Sequence, residues 1–217
     1  MSDEHSVVVD VRNLCKSFGN RKVLDGFSMQ VYQGEFVAIT GRSGSGKSTL
    51  LNIVGLLDAG DVDGSLDLFG APAPRPGSRG ARKLLRRKLA YMFQEPALVE
   101  EETAEYNLKI AQYYSDVPRG KRCGEREYAL AEVGLEGAKA QRVYSLSGGE
   151  RQRLALACMR MHPSDLVLAD EPTGSLDPAN RDAVLEFLRR LSVEGKTVLV
   201  VTHDPVVAGC ATRVVEL

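Results

Sequence analysis

Gly41-Arg42-Ser43-Gly44-Ser45-Gly46-Lys47-Ser48-Thr49 reads as G-x-x-x-x-G-K-[ST], a phosphate-binding loop. Its flanks fit the reading. Phe36-Val37-Ala38-Ile39 is a short apolar run of the kind that forms a buried strand, and Thr49-Leu50-Leu51-Asn52-Ile53-Val54 reads as a helix. Strand, glycine turn and helix gather backbone N–H groups around one point at a helix N-terminus, where an anion binds. The glycines let the backbone approach a phosphate without a Cβ in the way. Lys47 offers a point charge to the β- and γ-phosphates, and the Ser48 hydroxyl is a ligand type suited to Mg²⁺.

The rest of the chain narrows the ligand from any nucleoside triphosphate. Tyr144-Ser145-Leu146-Ser147-Gly148-Gly149-Glu150-Arg151-Gln152-Arg153 precedes a helical stretch. Leu166-Val167-Leu168-Ala169-Asp170-Glu171-Pro172 is an apolar strand that ends in two carboxylates. Ser175-Leu176-Asp177 follows, and then Val198 to Val201 leads into Thr202-His203-Asp204. Neighbouring side chains on a strand point to opposite sides, so Asp170 and Glu171 should have different tasks. Ser147 and Glu150 form the S-x-x-E pattern of a capping box. Gly148 and Gly149 are poor helix formers, and beside a capping serine they leave N–H groups open, which makes a second anion site.

In this order the segments resemble the ATP-binding subunit of ATP-binding cassette transporters, from about Val7 to Leu217, with Leu146 to Glu150 as the most specific motif. The resemblance implies an α/β fold: a P-loop NTPase core with an N-terminal antiparallel β subdomain (together about 1–94 and 164–217) and an inserted helical subdomain (about 95–163). It implies ATP and Mg²⁺ as cofactors. Gly41 to Thr49 would hold the phosphates. Asp170 would hold the metal through its water shell, with Ser48 and Gln94 as further metal contacts. Glu171 would polarise the attacking water, His203 would contact the γ-phosphate, and Lys47 would act on the transferred group. Gln94 would also report nucleotide state to a membrane partner. Phe18, in Lys16-Ser17-Phe18-Gly19-Asn20, sits where the family stacks an aromatic, more often tyrosine, on adenine. Ser147, Gly148, Gly149 and Glu150 would serve the ATP of a second copy, so two nucleotides would be sandwiched in a head-to-tail homodimer.

Composition bounds the function. At 217 residues the chain is one unit with room for a sizeable core. A net charge of −1 gives no pull toward nucleic acid. No apolar run approaches a membrane span, and Met1-Ser2-Asp3-Glu4-His5 is polar and acidic, so no secretory signal is expected. The chain would therefore act on a separate integral membrane permease, from the cytoplasm and peripherally on the inner face of the membrane. Cys15, Cys123, Cys158 and Cys210 lack zinc-ligand spacing and read as reduced thiols.

Short strands are expected at Val7–Val11, Phe27–Val31, Ser65–Phe69, Leu89–Phe93, Leu166–Ala169, Val198–Thr202 and Arg213–Leu217. Helices are expected at Ala81–Lys88, Ala104–Tyr114, Glu125–Val133 and Ala179–Leu191, the last capped by Asp177 with Pro178 in its first turn. The basic Ala81–Lys88 helix reads as a solvated face. The stretch Ala169 to Asp177 resembles the macrolide, lipoprotein and bacteriocin export branch, and the acidic run Glu100-Glu101-Glu102 past Gln94 reads as a solvated turn or a docking patch for a basic helix. The alternative is a cassette ATPase working on DNA or ribosomes, which would carry two cassettes or a long coiled coil. A GTPase would need an N-K-x-D motif, and none is present.

Overall fold

The apolar run before the phosphate loop becomes strand β3 (Phe36–Thr40) of a five-stranded parallel sheet. The computed structural model describes residues 6–58, 60, 62–174 and 176–217. The acidic Met1–His5 segment and Ser175 of the Ser175-Leu176-Asp177 stretch lie outside them. Sheet order is β6 (Leu89–Met92), β7 (Leu166–Asp170), β8 (Thr197–Val201), β3, β9 (Arg213–Glu216). Phe36 pairs with Val198, Leu166 with Thr197 and Leu89 with Leu166.

Both faces of this sheet are covered, which is why its strands read as unbroken apolar runs rather than alternating ones. Val37, Ile39, Leu168, Leu199 and Val201 face a cluster with Leu50, Leu51 and Val54 of helix α1 (Lys47–Val54) and with Val9 and Val11 of a second sheet. Phe36, Ala38, Val167, Ala169, Val198 and Val200 face the other cluster, packed on Leu154 and Leu188. Each Val, Leu, Ile or Phe among them contributes about 1.5–3 kcal/mol when fully buried. Leu154 lies in helix α5 (Gly148–Met161) and Leu188 in α6 (Pro178–Val193).

The second sheet is antiparallel, in the order β2 (Arg21–Tyr32), β1 (Val7–Phe18), β4 (Asp63–Leu68), β5 (Ala71–Pro72). Strands β1 and β2 each run 12 residues, well beyond the Val7–Val11 and Phe27–Val31 expected. Backbone pairing as far as Phe18↔Arg21 extends them through polar residues, and register shifts bend the ribbon on the way. The result carries Phe18 and Arg21 out to the hairpin tip. β5 falls in the proline-rich stretch Ala71–Gly77, pairing Pro72 with Asp67.

Helix α2 (Arg79–Arg87) leads into β6. Between β6 and β7 come α3 (Ala104–Ala111), α4 (Arg122–Glu132) and α5. The expected Ala104–Tyr114 helix stops at Ala111, because the chain tightens into a turn in which Tyr113 N–H donates to Ile110 O at 3.0 Å. A short α7 (Pro205–Cys210) precedes β9. The four cysteines are free thiols.

Candidate active site

Strands β3, β7 and β8 end side by side, and their carboxyl ends bring the motifs together. Thr202 N–H donates to Ile39 O at 3.0 Å, and Glu171 N–H donates to Val201 O at 2.9 Å. Parallel sheets place their ligand crevice at this end. The phosphate loop closes it. Gly46 caps α1 with φ 102°, a left-handed conformation that costs a side-chain-bearing residue energy. A Cβ there would also lie 2.7 Å from Val23 Cγ1. Lys47 is buried, and its ammonium donates to Gly41 O and Arg42 O, both at 3.0 Å. It thus spans the mouth of its own loop.

Ser48 Oγ donates to Asp170 Oδ1 at 2.9 Å. Burial pushes the Asp170 carboxyl above its ordinary value, and the neighbouring Glu171 charge adds to this, while the Ser48 hydrogen bond and Lys47 oppose it. Asp170 ends β7, whereas Glu171 steps off it with φ 44°. The two acids are separated by this left-handed turn, not by simple strand alternation as the sequence suggested. Glu171 Oε1 lies 2.8 Å from His203 Nδ1, and His203 N–H reaches Glu171 Oε2 at 3.4 Å.

A cleft of about 390 Å³ is lined by Phe18, Ser43, Gly44, Gly46, Lys47, Ser48, Thr49, Glu171 and His203. The phosphate loop, both ends of the Glu171–His203 pair and the expected aromatic therefore share one space. The Phe18 ring is about half exposed, with Lys16 Nζ 5.3 Å from its centroid. Arg21 and Val23 line the same cleft, and Arg21 Nη2 donates to Gly44 O at 3.1 Å. Sequence reading missed both. Their one signal is a basic residue just after an aromatic turn, and it acquires meaning only when the β1–β2 pairing folds the turn over the loop.

The residues of the Leu146–Glu150 motif, the signature, sit elsewhere. Ser147 Oγ accepts from Glu150 N–H at 3.3 Å, and Ser147 N–H donates to Glu150 Oε2 at 2.8 Å, so the capping box is formed. The Ser147 hydroxyl and N–H hold the Glu150 carboxyl below its usual range. Gly148 and Gly149 line a different cleft, of about 480 Å³, together with Gln94, Gly174, Leu176, Asp177 and Asn180. Gln94 is thus grouped with the signature rather than with Ser48 and Asp170. A Cβ on Gly148 would meet nothing, but one on Gly149 would lie 2.7 Å from Asn180 Nδ2. Asn180 cannot swing away freely: Arg153 Nη1 donates to its Oδ1 at 2.6 Å, and its Nδ2 donates to Asp177 Oδ2 at 2.5 Å. Asp177 itself caps α6 through Ala179 and Asn180 N–H.

The acidic run is tied to this region. Glu100 Oε1 lies 3.5 Å from Arg151 Nη1. Tyr144 N–H donates to Glu100 O, Arg142 to Glu101 O and Val143 N–H to Glu102 O. Buried Asn107 fixes the preceding turn by binding both Val99 N–H and Val99 O.

Known proteins resemble this chain along nearly its whole length. The family described as ABC transporter matches residues 24–174. Macrolide export ATP-binding/permease protein MacB 1/2 of Paracoccus denitrificans is 41% identical over 199 residues, covering 92% of this chain and 30% of that protein. MacB of Mannheimia succiniciproducens is 36% identical over 214 residues, covering 97% and 33%. The chain spans about a third of the length of these curated relatives. Among solved structures, a dimeric bacterial ABC transporter cassette superposes with a TM-score of 0.86 at 32% identity, covering 96% of this chain and 94% of that one. A dimeric ATP-binding cassette in a post-hydrolysis state, bound to ADP and Pi, gives 0.85 at 31% identity with the same coverage.

Proposed function

This chain belongs to the ABC transporter family and has the fold of its ATP-binding cassettes, and on that premise we propose that it hydrolyses ATP as a head-to-tail pair and powers a membrane permease. The observation that carries the reading is that the Glu171–His203 pair and Lys47 and Ser48 of the phosphate loop line one cleft, with Ser48 hydrogen-bonded to Asp170. Gly41 to Thr49 bind the phosphates with loop N–H groups and with Lys47. Phe18 offers a ring face to the base. Glu171 accepts hydrogen bonds from the attacking water and His203 helps orient it. Phosphoryl transfer needs mainly this positioning and charge neutralisation.

The donor set fits Mg²⁺. Ser48 and Asp170 are hard oxygen ligands already in contact, and Mg²⁺ is normally held by one or two such groups, substrate phosphates and water rather than by an all-protein cage. Among the described residues no group of three or more His, Cys, Asp or Glu forms such a cage. Bound there, the ion would neutralise charge on the phosphates.

The signature lies on a different cleft from the phosphate loop. We therefore assign Ser147, Gly148, Gly149 and Glu150 to the nucleotide of a second copy, with Gln94 on the same cleft as Gly148 and Gly149. We take residues 95–163 as the helical subdomain. An apolar groove lined by Leu57, Leu85, Tyr91, Phe93, Pro96 and Leu98 flanks Gln94. It is the docking site for the permease, in a system for export or extraction of a peptide, lipoprotein or small molecule. No described helix is long and apolar enough to cross a membrane; from the family membership we place this chain peripherally on the cytoplasmic face, beside the permease. ATP turnover by the purified chain, measured beside its Glu171→Gln variant, tests the proposal: comparable turnover by the two would remove the role given to Glu171.

A further inference from the structure

Helix α2 is built against its own stability. Arg79, Arg82, Lys83, Arg86 and Arg87 are exposed, and no acidic residue sits in its first turn. Arg79–Lys83, Arg82–Arg86 and Lys83–Arg87 are like-charge pairs four residues apart, which repel. Positive charge at the N-terminal end also opposes the helix dipole. Surrounding acids do not compensate. Arg87 pairs with Asp116 at 2.9 Å, but among the described residues Arg79, Arg82, Lys83 and Arg86 form no ion pair with a carboxylate. Arg82 donates to Gly77 O, and Arg86 and Arg87 find partners at the C-terminal end, but the repelling row has no acidic side chain to neutralise it beyond Asp116, and a local conflict of this kind marks a surface shaped for a partner.

A second feature adjoins it. Tyr106, Ile110 and Tyr113 are exposed at 44%, 50% and 69%, at the spacing that places them on one side of α3 and its terminal turn. The Tyr113 ring meets Tyr114 edge-on at 4.9 Å, and the Arg86 guanidinium lies 4.9 Å from the Tyr114 ring centroid. Aromatic stripe and basic helix are therefore continuous. The basic side chains and Tyr114 enclose an open cleft of about 560 Å³, while Leu85 of the same helix lines the neighbouring apolar groove.

We propose that this basic and aromatic face lies on the anionic phospholipid headgroups of the membrane that holds the permease. Its orientation rests on the assignment of the apolar groove to permease docking, since the two surfaces share α2. Guanidinium groups match phosphate oxygens in a two-pronged geometry. Tyrosine rings concentrate at the membrane–water boundary, and a cytoplasmic leaflet rich in anionic lipid attracts clustered Lys and Arg. An acidic protein segment would satisfy the charges but would not call for the exposed aromatic side chains.

The test uses the full chain without permease. Co-sedimentation is measured with phosphatidylcholine vesicles and with vesicles that also contain phosphatidylglycerol. The wild type is expected to bind the anionic vesicles, to release as salt rises, and to ignore the zwitterionic ones. The combined R79Q/R82Q/K83Q/R86Q variant should lose binding by about 10²–10³-fold, given about fivefold per cation near an anionic surface, with basal ATP turnover unchanged. A variant with Lys at all four positions should bind, which separates lost charge from lost fold. Y106S/Y113S should weaken binding several-fold without changing its salt dependence. Equal vesicle binding by the four-Gln variant and the wild type overturns the proposal. So does displacement by free glycerophosphate at matched phosphate, which would mean a soluble-phosphate site, or by duplex DNA, which would mean a nucleic-acid surface. Permease capture by the same variants, read separately in detergent, reports on the groove assignment: loss of capture on Leu98→Asp alone supports that assignment whatever the vesicles show.

Discussion

Glu171 Oε1 and His203 Nδ1 lie 2.8 Å apart across 32 residues of sequence, and the left-handed turn at Glu171 makes the approach possible. An ionised carboxylate has only lone pairs to offer, so in this contact Nδ1–H donates. Nε2 of a neutral ring is then left as an acceptor toward the cleft. The pair is a self-orienting unit in which each side chain fixes the other.

Glu171→Gln and His203→Ala should therefore fail in related ways. Loss of the base is expected to lower turnover by about 10²–10⁴-fold with ATP affinity retained. His203→Ala should lower turnover as well, by releasing Glu171 from its position. Steady-state hydrolysis and equilibrium nucleotide binding, measured side by side, check this. Weakened ATP binding with preserved turnover per bound nucleotide would contradict the assignment.

Lys47→Ala should fail earlier, at binding. The ammonium holds Gly41 O and Arg42 O and would exchange these contacts for phosphate oxygens. A charge-assisted hydrogen bond of about 1.5–3 kcal/mol corresponds to roughly 10–150-fold in affinity. Calorimetric titration should show that loss for ATP and a smaller one for AMP. Equal ATP affinities would refute the role.

Gly148 and Gly149 should respond oppositely to alanine. Gly148→Ala has open space and should leave stability unchanged while weakening hydrolysis, because the added methyl obstructs the second nucleotide. Gly149→Ala presses on Asn180, which Arg153 and Asp177 hold in place. Overpacking of about 1–3 kcal/mol is expected, or roughly 2–4 °C in Tm per kcal/mol for a chain of this size. Thermal melts of both variants decide the point, and equal Tm values would show that the contact relaxes at no cost.

Changing Glu100, Glu101 and Glu102 together to Gln should barely alter the melt. Their carbonyls, not their carboxylates, make most of the ties to 142–144, and an exposed pair such as Glu100–Arg151 is worth about 1 kcal/mol or less. If the run also docks a basic segment of the permease, permease affinity should fall and lose its salt dependence. Unchanged affinity at low salt would return the run to a solvated turn.

Much of this organisation was legible because the informative motifs are local. The phosphate loop, the capping box at Ser147 and the Asp177 cap each fit within ten residues, and the apolar runs of β3, β7 and β8 announce a sheet buried on both faces. What stayed hidden depends on contacts distant in sequence. Arg21 reaches Gly44 only through the long β1–β2 hairpin. Asn180 explains Gly149 only once α5 and α6 pack. The basic run of α2 read as a solvated face because its lack of counter-ions is a property of the folded surface, not of the run itself.

The central claim is that one copy's phosphate loop and another's signature complete each nucleotide site. Ser147→Arg should leave ATP affinity of the single chain intact but stop hydrolysis. The most direct measurement is the mass in solution of Glu171→Gln with ATP and Mg²⁺, by light scattering, with and without Ser147→Arg. The account predicts twice the 23.6 kDa chain mass for Glu171→Gln when ATP is present, and a single chain when Ser147→Arg is added or ATP is withheld. A mass of one chain for Glu171→Gln under saturating ATP, or a pair that persists with Ser147→Arg, would contradict it.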